Sequence, residues 1–215
     1  MKHLIIFGAP GSGKGTQSKK LQEKLGFQVV STGDLLRAEV ASESEIGKMC
    51  AGIMAQGRFP DSSIIYKLVE KFLSDHSDAH GVLYDGFPRT IEQAQFLLKI
   101  LKERDETIDK VINVNVDNDV LIKRISGRFS CADCGEIYNK YYKNPLSEGV
   151  CDICGSSNFK TRSDDTEDTV KTRLMVYEES TAPILDFFVN QHLDIIIVDG
   201  MQSVDNVFHQ IESVL

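Results

Sequence analysis

Nine consecutive residues, Gly8, Ala9, Pro10, Gly11, Ser12, Gly13, Lys14, Gly15 and Thr16, have the makings of a polyphosphate-binding loop, and they follow directly on the apolar run Leu4-Ile5-Ile6-Phe7. A loop that wraps phosphates turns its backbone N–H groups inward, and glycines permit the dihedral angles and close approach that this requires. Lys14 adds a full charge for the outer phosphates, and Thr16 a hydroxyl for phosphate or for magnesium-bound water. The helix that should follow adds a positive dipole end. The spacing fits Gly-x-x-x-x-Gly-Lys-Ser/Thr, except that Gly15 stands at the hydroxyl position and Thr16 arrives one residue late. It is therefore a variant phosphate loop. A dinucleotide fingerprint is disfavoured, because this run lacks Gly-x-Gly-x-x-Gly spacing and carries a lysine inside.

The second chemical cluster is Cys131-Ala132-Asp133-Cys134, sixteen residues, then Cys151-Asp152-Ile153-Cys154. Two CxxC pairs at this separation suit a closed four-thiolate zinc site, and Gly135 and Gly155 suit the tight knuckles that aim paired sulfurs at one ion. Iron in the same sulfur tetrahedron and a pair of disulfides are the alternatives. Four thiolates leave no open coordination position, so the metal's role is structural. A zinc ribbon invites a nucleic-acid reading. Against it, residues 131–154 set only Lys140 and Lys143 against Asp133, Glu136, Glu148 and Asp152, a poor match for a phosphate backbone. The fifth cysteine, Cys50, reads as a small buried apolar residue.

Strand candidates at 3–7, 28–31, 82–85, 111–116 and 195–199 alternate with helical patterns, which implies an α/β fold with a parallel sheet covered on both faces. The first helix is expected over about 17–25, stopping at Gly26. Thr90-Ile91-Glu92-Gln93 reads as a capping box ahead of Ala94, Leu97, Leu98 and Leu101. A long helical stretch runs from about 165 to 188, with Pro183 expected to bend or break it. The last helix should start at Ser203. Residues 32–60 and 127–163 do not fit the alternation, and insertions of that size in a compact domain are usually functional. They read as flaps over a substrate.

At 215 residues, 41% hydrophobic and 26% charged, the chain suits one globular unit with insertions. Its formal net charge of −8 argues against a general nucleic-acid binder, so any anion must be gripped locally. No long apolar span is present, and Met1-Lys2-His3 runs straight into the first strand candidate, which sets the expectation of a cytoplasmic protein without membrane contact.

Asp85 ends a strand candidate, where a nucleotide-binding sheet places the acid that orients magnesium and its waters. Taken alone it is a weak signal, as is each arginine, which reads by itself as a solvated surface charge. Their setting is more specific. Asp85-Gly86-Phe87-Pro88-Arg89-Thr90, Ser31-Thr32-Gly33-Asp34-Leu35-Leu36-Arg37, Gly127-Arg128, Arg162-Ser163-Asp164-Asp165 and Val170-Lys171-Thr172-Arg173-Leu174 occur in order with the glycine loop and the four cysteines. With them the chain resembles the adenylate kinase family, in the form whose lid carries a metal-binding cysteine cluster.

That resemblance implies a P-loop NTPase-like core of five parallel strands. It also implies a nucleoside-monophosphate flap at 31–60 and a zinc lid at 127–163, with core at 1–30, 61–126 and 164–215. The implied reaction moves the γ-phosphoryl of Mg·ATP to AMP, giving two ADP. Gly11, Ser12, Gly13, Lys14, Gly15 and Thr16 would hold ATP phosphates, and Arg128, Ile137, Tyr138 and the backbone near Gln202 would complete the ATP site. Arg124 would lie against the adenine. Thr32, Arg37, Arg58, Phe59, Pro60, Gly86, Phe87, Pro88, Arg89 and Gln93 would hold AMP. Arg162 and Arg173 would clamp the phosphates between the substrates, with Lys14, Asp85, Arg89 and Arg128 as their catalytic companions. Asp164 and Asp165 would either steady those arginines or cap a helix. Mg²⁺ with ATP, a structural Zn²⁺ and a monomer acting on ATP, AMP and ADP complete the expectation. The family usually has a small aliphatic pair where this chain has Phe59-Pro60, so the base pocket is expected to be shaped differently here. A kinase for UMP, CMP or GMP is the near rival, and a zinc-ribbon binding module the distant one. A GTP-using switch is disfavoured, since no Asn-Lys-x-Asp run is present.

Overall fold

A computed structural model describes all 215 residues, the side chain of Glu167 excepted. Five strands, β1 (Lys2–Phe7), β2 (Gln28–Ser31), β3 (Gly81–Asp85), β4 (Lys110–Asn115) and β8 (Ile195–Asp199), form one sheet in the order β2-β3-β1-β4-β8. Every neighbouring pair in it is parallel. Leu4, Ile5, Ile6 and Phe7 are all buried, because a central parallel strand is covered on both faces and reads as an unbroken apolar run. One face packs Ile5, Val82 and Tyr84 against the helices α4 (Ser62–Asp75) and α5 (Ile91–Lys102). The other packs Leu4, Ile6 and Ile112 against α1 (Lys14–Leu25) and α9 (Val204–Glu212).

The chain leaves β1 toward one edge of the sheet and leaves β4 toward the other. In open α/β sheets ligands bind at the carboxyl ends of the strands where this reversal occurs. Two insertions flank that position. The first is α2 (Thr32–Ala41) and α3 (Glu45–Ala55), capped by Ser31 and Ser44, whose hydroxyls accept from Asp34 N and Gly47 N. The second follows α6 (Asn118–Ser126) and contains β5 (Arg128–Cys131), β6 (Ile137–Asn139) and β7 (Phe159–Lys160), an antiparallel sheet in the order β6-β5-β7.

Helix boundaries depart from expectation in two informative places. The first helix begins at Lys14, with Gly13 at its N-cap and the amides of Thr16 and Gln17 both donating to Gly13 O, so Lys14 and Thr16 sit in its first turn. The long C-terminal helix is not one helix. It divides into α7 (Glu167–Val176), a π-helical turn over Tyr177–Thr181 and α8 (Pro183–Asn190). Pro183 has no N–H to continue the α ladder. The wider turn accommodates this, with Ala182 N donating to Tyr177 O at 2.8 Å, and Pro183 becomes the first residue of α8.

Candidate active site

The glycine loop joins β1 to α1 at the carboxyl edge of the sheet. Gly8 has φ +141°, and a Cβ there would lie 2.5 Å from Val114 O and 2.6 Å from Ser12 Oγ, so glycine is required on both conformational and steric grounds. Lys14 Nζ donates to the loop carbonyls of Gly8 at 2.5 Å and Ala9 at 3.0 Å. Burial pushes the Lys14 pKa down to about 8; Asp85 pulls the other way, while Arg89, Arg173 and Arg128 add to the depression. Ser12 Oγ is buried and has no hydrogen-bond partner among the described residues. Buried polar groups are nearly always paired, so this hydroxyl marks a place for a ligand oxygen.

Asp85 closes β3 beside the loop. Burial raises its pKa against the opposing pull of Lys14. Gly15 supplies no hydroxyl here, and Ser18, one helical turn beyond Lys14, lies 3.1 Å from Asp85 Oδ2 instead. The sequence reading missed Ser18. Its i+4 spacing from Lys14 on a helix was the available signal.

The arginines converge on the same space. Arg128 forks onto Asp165 through Nε at 2.8 Å and Nη2 at 2.5 Å. Arg173 Nη1 donates to Asp164 Oδ2 at 3.2 Å and Asp165 Oδ1 at 3.1 Å. The two aspartates therefore steady the arginines, and capping of α7 falls to Thr166, whose Oγ1 accepts from Thr169 N. Arg37 donates to Asp34 Oδ1 at 2.6 Å, and Arg162 lies 3.6 Å from the same oxygen. Arg89 donates Nε to Gly86 O at 2.6 Å. Burial depresses the pKa of Arg89, with Arg173 next in effect, and burial with Arg128 and Arg37 depresses that of Arg162. Guanidinium groups keep their charge regardless; burial is the main cause of the depression, and neighbouring cations add mutual repulsion to it, in a chain whose net charge is −8. An anion of several charges relieves that repulsion.

These residues line one cleft of about 990 Å³ between the sheet edge and the two insertions. Gly11, Ser12, Gly13, Lys14, Gly15 and Thr16 border it, as do Arg124, Arg128, Ile137 and Gln202 on one side. Arg37, Arg58, Phe59, Asp85, Gly86, Phe87, Pro88, Arg89, Arg162 and Arg173 border the rest. Arg124 Nη1 donates to Ser12 O at 3.4 Å.

Four expected contacts differ in kind. Thr32, Pro60 and Gln93 are buried behind the cleft wall. Thr32 Oγ1 donates to Gly86 O at 2.9 Å. The Gln93 amide is committed at both ends, accepting from Arg89 N at 2.9 Å and donating to Ser62 Oγ at 3.3 Å. The capping box is thus half formed: Thr90 Oγ1 accepts from Gln93 N at 3.2 Å, but the return bond goes to Arg89 rather than Thr90. Tyr138 borders the cleft, yet its hydroxyl turns into the second insertion, donating to Cys151 Sγ at 3.4 Å and accepting from Asp152 N at 2.8 Å.

The cysteines meet as their spacing demands. The sulfurs of Cys131, Cys134, Cys151 and Cys154 all lie within 4.8 Å of one another, with Cys131–Cys154 and Cys134–Cys151 at 3.5 Å. A tetrahedral ZnS₄ centre with ~2.3 Å bonds has sulfurs about 3.8 Å apart, so the donor set fits zinc. The Gly135 and Gly155 amides close the two knuckles onto Cys131 O and Cys151 O. Phe129, Tyr138 and Phe159 are the main apolar residues packed with the cysteines, too few to form a core alone. The same insertion is tied to α1 by Glu136, 3.0 Å from Lys19 Nζ.

The sequence pattern of the family described as adenylate kinase matches residues 6–193. Among curated proteins, the adenylate kinase of Erythrobacter litoralis is 42% identical over 213 residues, covering 99% of this chain and 99% of that protein. The adenylate kinase of Sphingopyxis alaskensis is 43% identical over 213 residues, covering 99% and 97%. That of Methanosarcina barkeri is 40% identical over 213 residues, covering 99% and 98%.

Proposed function

The chain belongs to the adenylate kinase family, and from that premise we propose how its own residues carry the transfer of the γ-phosphoryl of Mg·ATP to AMP. It is a phosphotransferase, a nucleoside-monophosphate kinase of the adenylate kinase kind, and the family's substrates are ATP, AMP and ADP. The observation that carries the residue-level reading is the convergence of Lys14, Arg89, Arg128 and Arg173 on one cleft, close enough that three of these guanidinium groups depress the titration of the lysine.

Phosphoryl transfer asks for in-line positioning and charge neutralisation more than for a base. The loop amides, with Lys14 and the Ser12 hydroxyl, hold the triphosphate, and Asp85 with Thr16 faces the magnesium that enters with it. Arg89 and Arg37 hold the monophosphate. An oxygen of that monophosphate attacks the γ-phosphorus, the bond to the β–γ bridging oxygen breaks, and ADP leaves on one side as ADP forms on the other. Arg128, Arg162 and Arg173 neutralise the charge spread over the transferring group, which is where fixed cations lower the barrier most. Asp34, Asp164 and Asp165 hold these donors in place until phosphate oxygens compete for them.

The segments 31–60 and 127–163 act as flaps that close over the substrates and exclude water, the competing acceptor. In the lid the four cysteines hold zinc, whose bonds replace the missing apolar core. Among the described residues no helix is long and apolar enough to cross a membrane, and a cytoplasmic monomer goes with this reading. Formation of ADP from ATP and AMP, lost in Lys14→Met, tests it.

A further inference from the structure

Phe59 stands where the family usually carries a small aliphatic residue, and its ring has a specific use in this chain. The Arg89 guanidinium lies over its face, with Cζ 3.7 Å from the ring centroid. The rest of Arg89 is seated by polar contacts. Nε donates to Gly86 O at 2.6 Å, the backbone N–H donates to Gln93 Oε1 at 2.9 Å, and the backbone carbonyl accepts from Thr181 Oγ1 at 3.0 Å. Among the described residues neither Nη group of Arg89 makes a hydrogen bond, so the open end of the fork remains for a ligand.

The approach of Phe59 is built into the backbone. Gly57 has φ +75°, and a Cβ there would lie 2.8 Å from Thr169 Cγ2 and 3.1 Å from Arg173 Cγ. Only glycine lets the segment after α3 turn this tightly against α7, and two residues later the chain delivers the ring. A planar cation on an aromatic face gains electrostatic and dispersion energy and loses its freedom to rotate out of plane. An aliphatic side chain fills the space but offers no π face.

We propose that Phe59 is a positioning residue for the acceptor phosphate, its ring fixing the plane of the Arg89 guanidinium so that both Nη groups meet the phosphate monoester as a fork. The inference rests on the nucleoside-monophosphate kinase reading of the cleft. Phe59 acts on the phosphate group that all nucleoside monophosphates share, and not on the base. Because the ring belongs to segment 31–60 and Arg89 to the core, seating that segment and ordering the phosphate fork are one event.

The test compares the parent with Phe59→Leu and Phe59→Tyr. AMP affinity should fall about 3- to 30-fold in Phe59→Leu, stay within about twofold of the parent in Phe59→Tyr, and leave ATP affinity unchanged in both. The loss should be the same for every monophosphate that the parent accepts. In arginine-selective NMR the Arg89 side-chain signals should be shifted upfield by the ring current in the parent and in Phe59→Tyr, and relax downfield in Phe59→Leu. Parent-like AMP affinity in Phe59→Leu overturns the proposal, as does an equal loss in the tyrosine variant. A loss that differs from one base to another puts the ring in the base pocket and also overturns it. Failure of the parent to make ADP would sink the kinase reading instead, and the Arg89 signals distinguish the two failures.

Discussion

Ser18 and Asp85 meet across the gap between α1 and β3, with the serine hydroxyl 3.1 Å from Asp85 Oδ2 and 2.9 Å from the Lys14 carbonyl. In the usual phosphate loop a hydroxyl directly after the lysine lies near this carboxylate. Here that position is Gly15, where a Cβ would sit 3.6 Å from Asp85 Oδ2, and the contact has passed to the residue one turn on. Ser18→Ala should leave the fold intact, raise the Mg²⁺ concentration needed for half-maximal rate and lower kcat about 10-fold. A hydrogen bond to a charged group carries ~1.5–3 kcal/mol. Initial rates across a Mg²⁺ titration check this, and an unchanged titration would remove Ser18 from the site.

Lys14 gives the site a pH dependence of known sign. Its pKa of about 8 in the folded protein lies below the ordinary 10.5, so between these values the unfolded chain binds more protons than the folded one. The cost of burying the ammonium is complete below about pH 8 and is relieved as pH rises toward 10.5, so this group makes the protein more stable with increasing pH in that window. Triphosphate binding runs the opposite way, because it needs the ammonium. ATP affinity should weaken as pH rises through about 8, and binding at pH 8 should take up protons. Calorimetry in two buffers of different ionisation enthalpy measures the uptake, which Lys14→Met should abolish.

Asp165 pairs with both Arg128 and Arg173 and is almost completely buried. Asp165→Ala leaves the Arg128 guanidinium without its anion and Arg173 with Asp164 alone, and breaking such a buried pair costs about 3–5 kcal/mol. Thermal unfolding should show the loss, and saturating ATP plus AMP should recover much of it by supplying phosphate oxygens in place of the carboxylate. A deficit unaffected by nucleotide would mean that these arginines do not reach the phosphates.

One equivalent of zinc per chain is expected, and a strong chelator should lower Tm, since the binding energy of a structural metal is folding energy. Cys151→Ser should reproduce the loss, while Tyr138→Phe, which removes the hydroxyl bonded to Cys151 Sγ, should release the metal faster to a chromogenic chelator. Elemental analysis that finds neither zinc nor iron would contradict the assignment.

Much of this was legible in the residues. Strands such as Lys2–Phe7 stand out because a central parallel strand is buried on both faces, as Leu4, Ile5, Ile6 and Phe7 are, and so writes an apolar run into the chain. The glycine loop and the CxxC pairs were legible because phosphate and metal geometry fix their spacing. What escaped depends on meetings between distant segments. Ser18 is an unremarkable helical serine until Asp85, 67 residues away, is placed beside it. Gln93 fits a capping box, and only the fold shows its amide shared between Arg89 and Ser62. Phe59 is visible as an odd residue in a familiar motif, but the guanidinium that rests on its face belongs to another loop. Pro183 announces a break, and the ladder bond from Ala182 to Tyr177 shows how a π turn absorbs it.

The central claim is that a lysine and a ring of arginines hold two phosphate chains end to end. It is tested most directly by following ADP production from Mg·ATP and AMP with the parent protein and with Arg89→Ala. The account predicts two ADP per AMP consumed for the parent and a rate at least about 10²-fold lower for the variant, with its circular dichroism and Tm close to those of the parent. No ADP from the parent, or near-parental turnover in a folded Arg89→Ala protein, would contradict it.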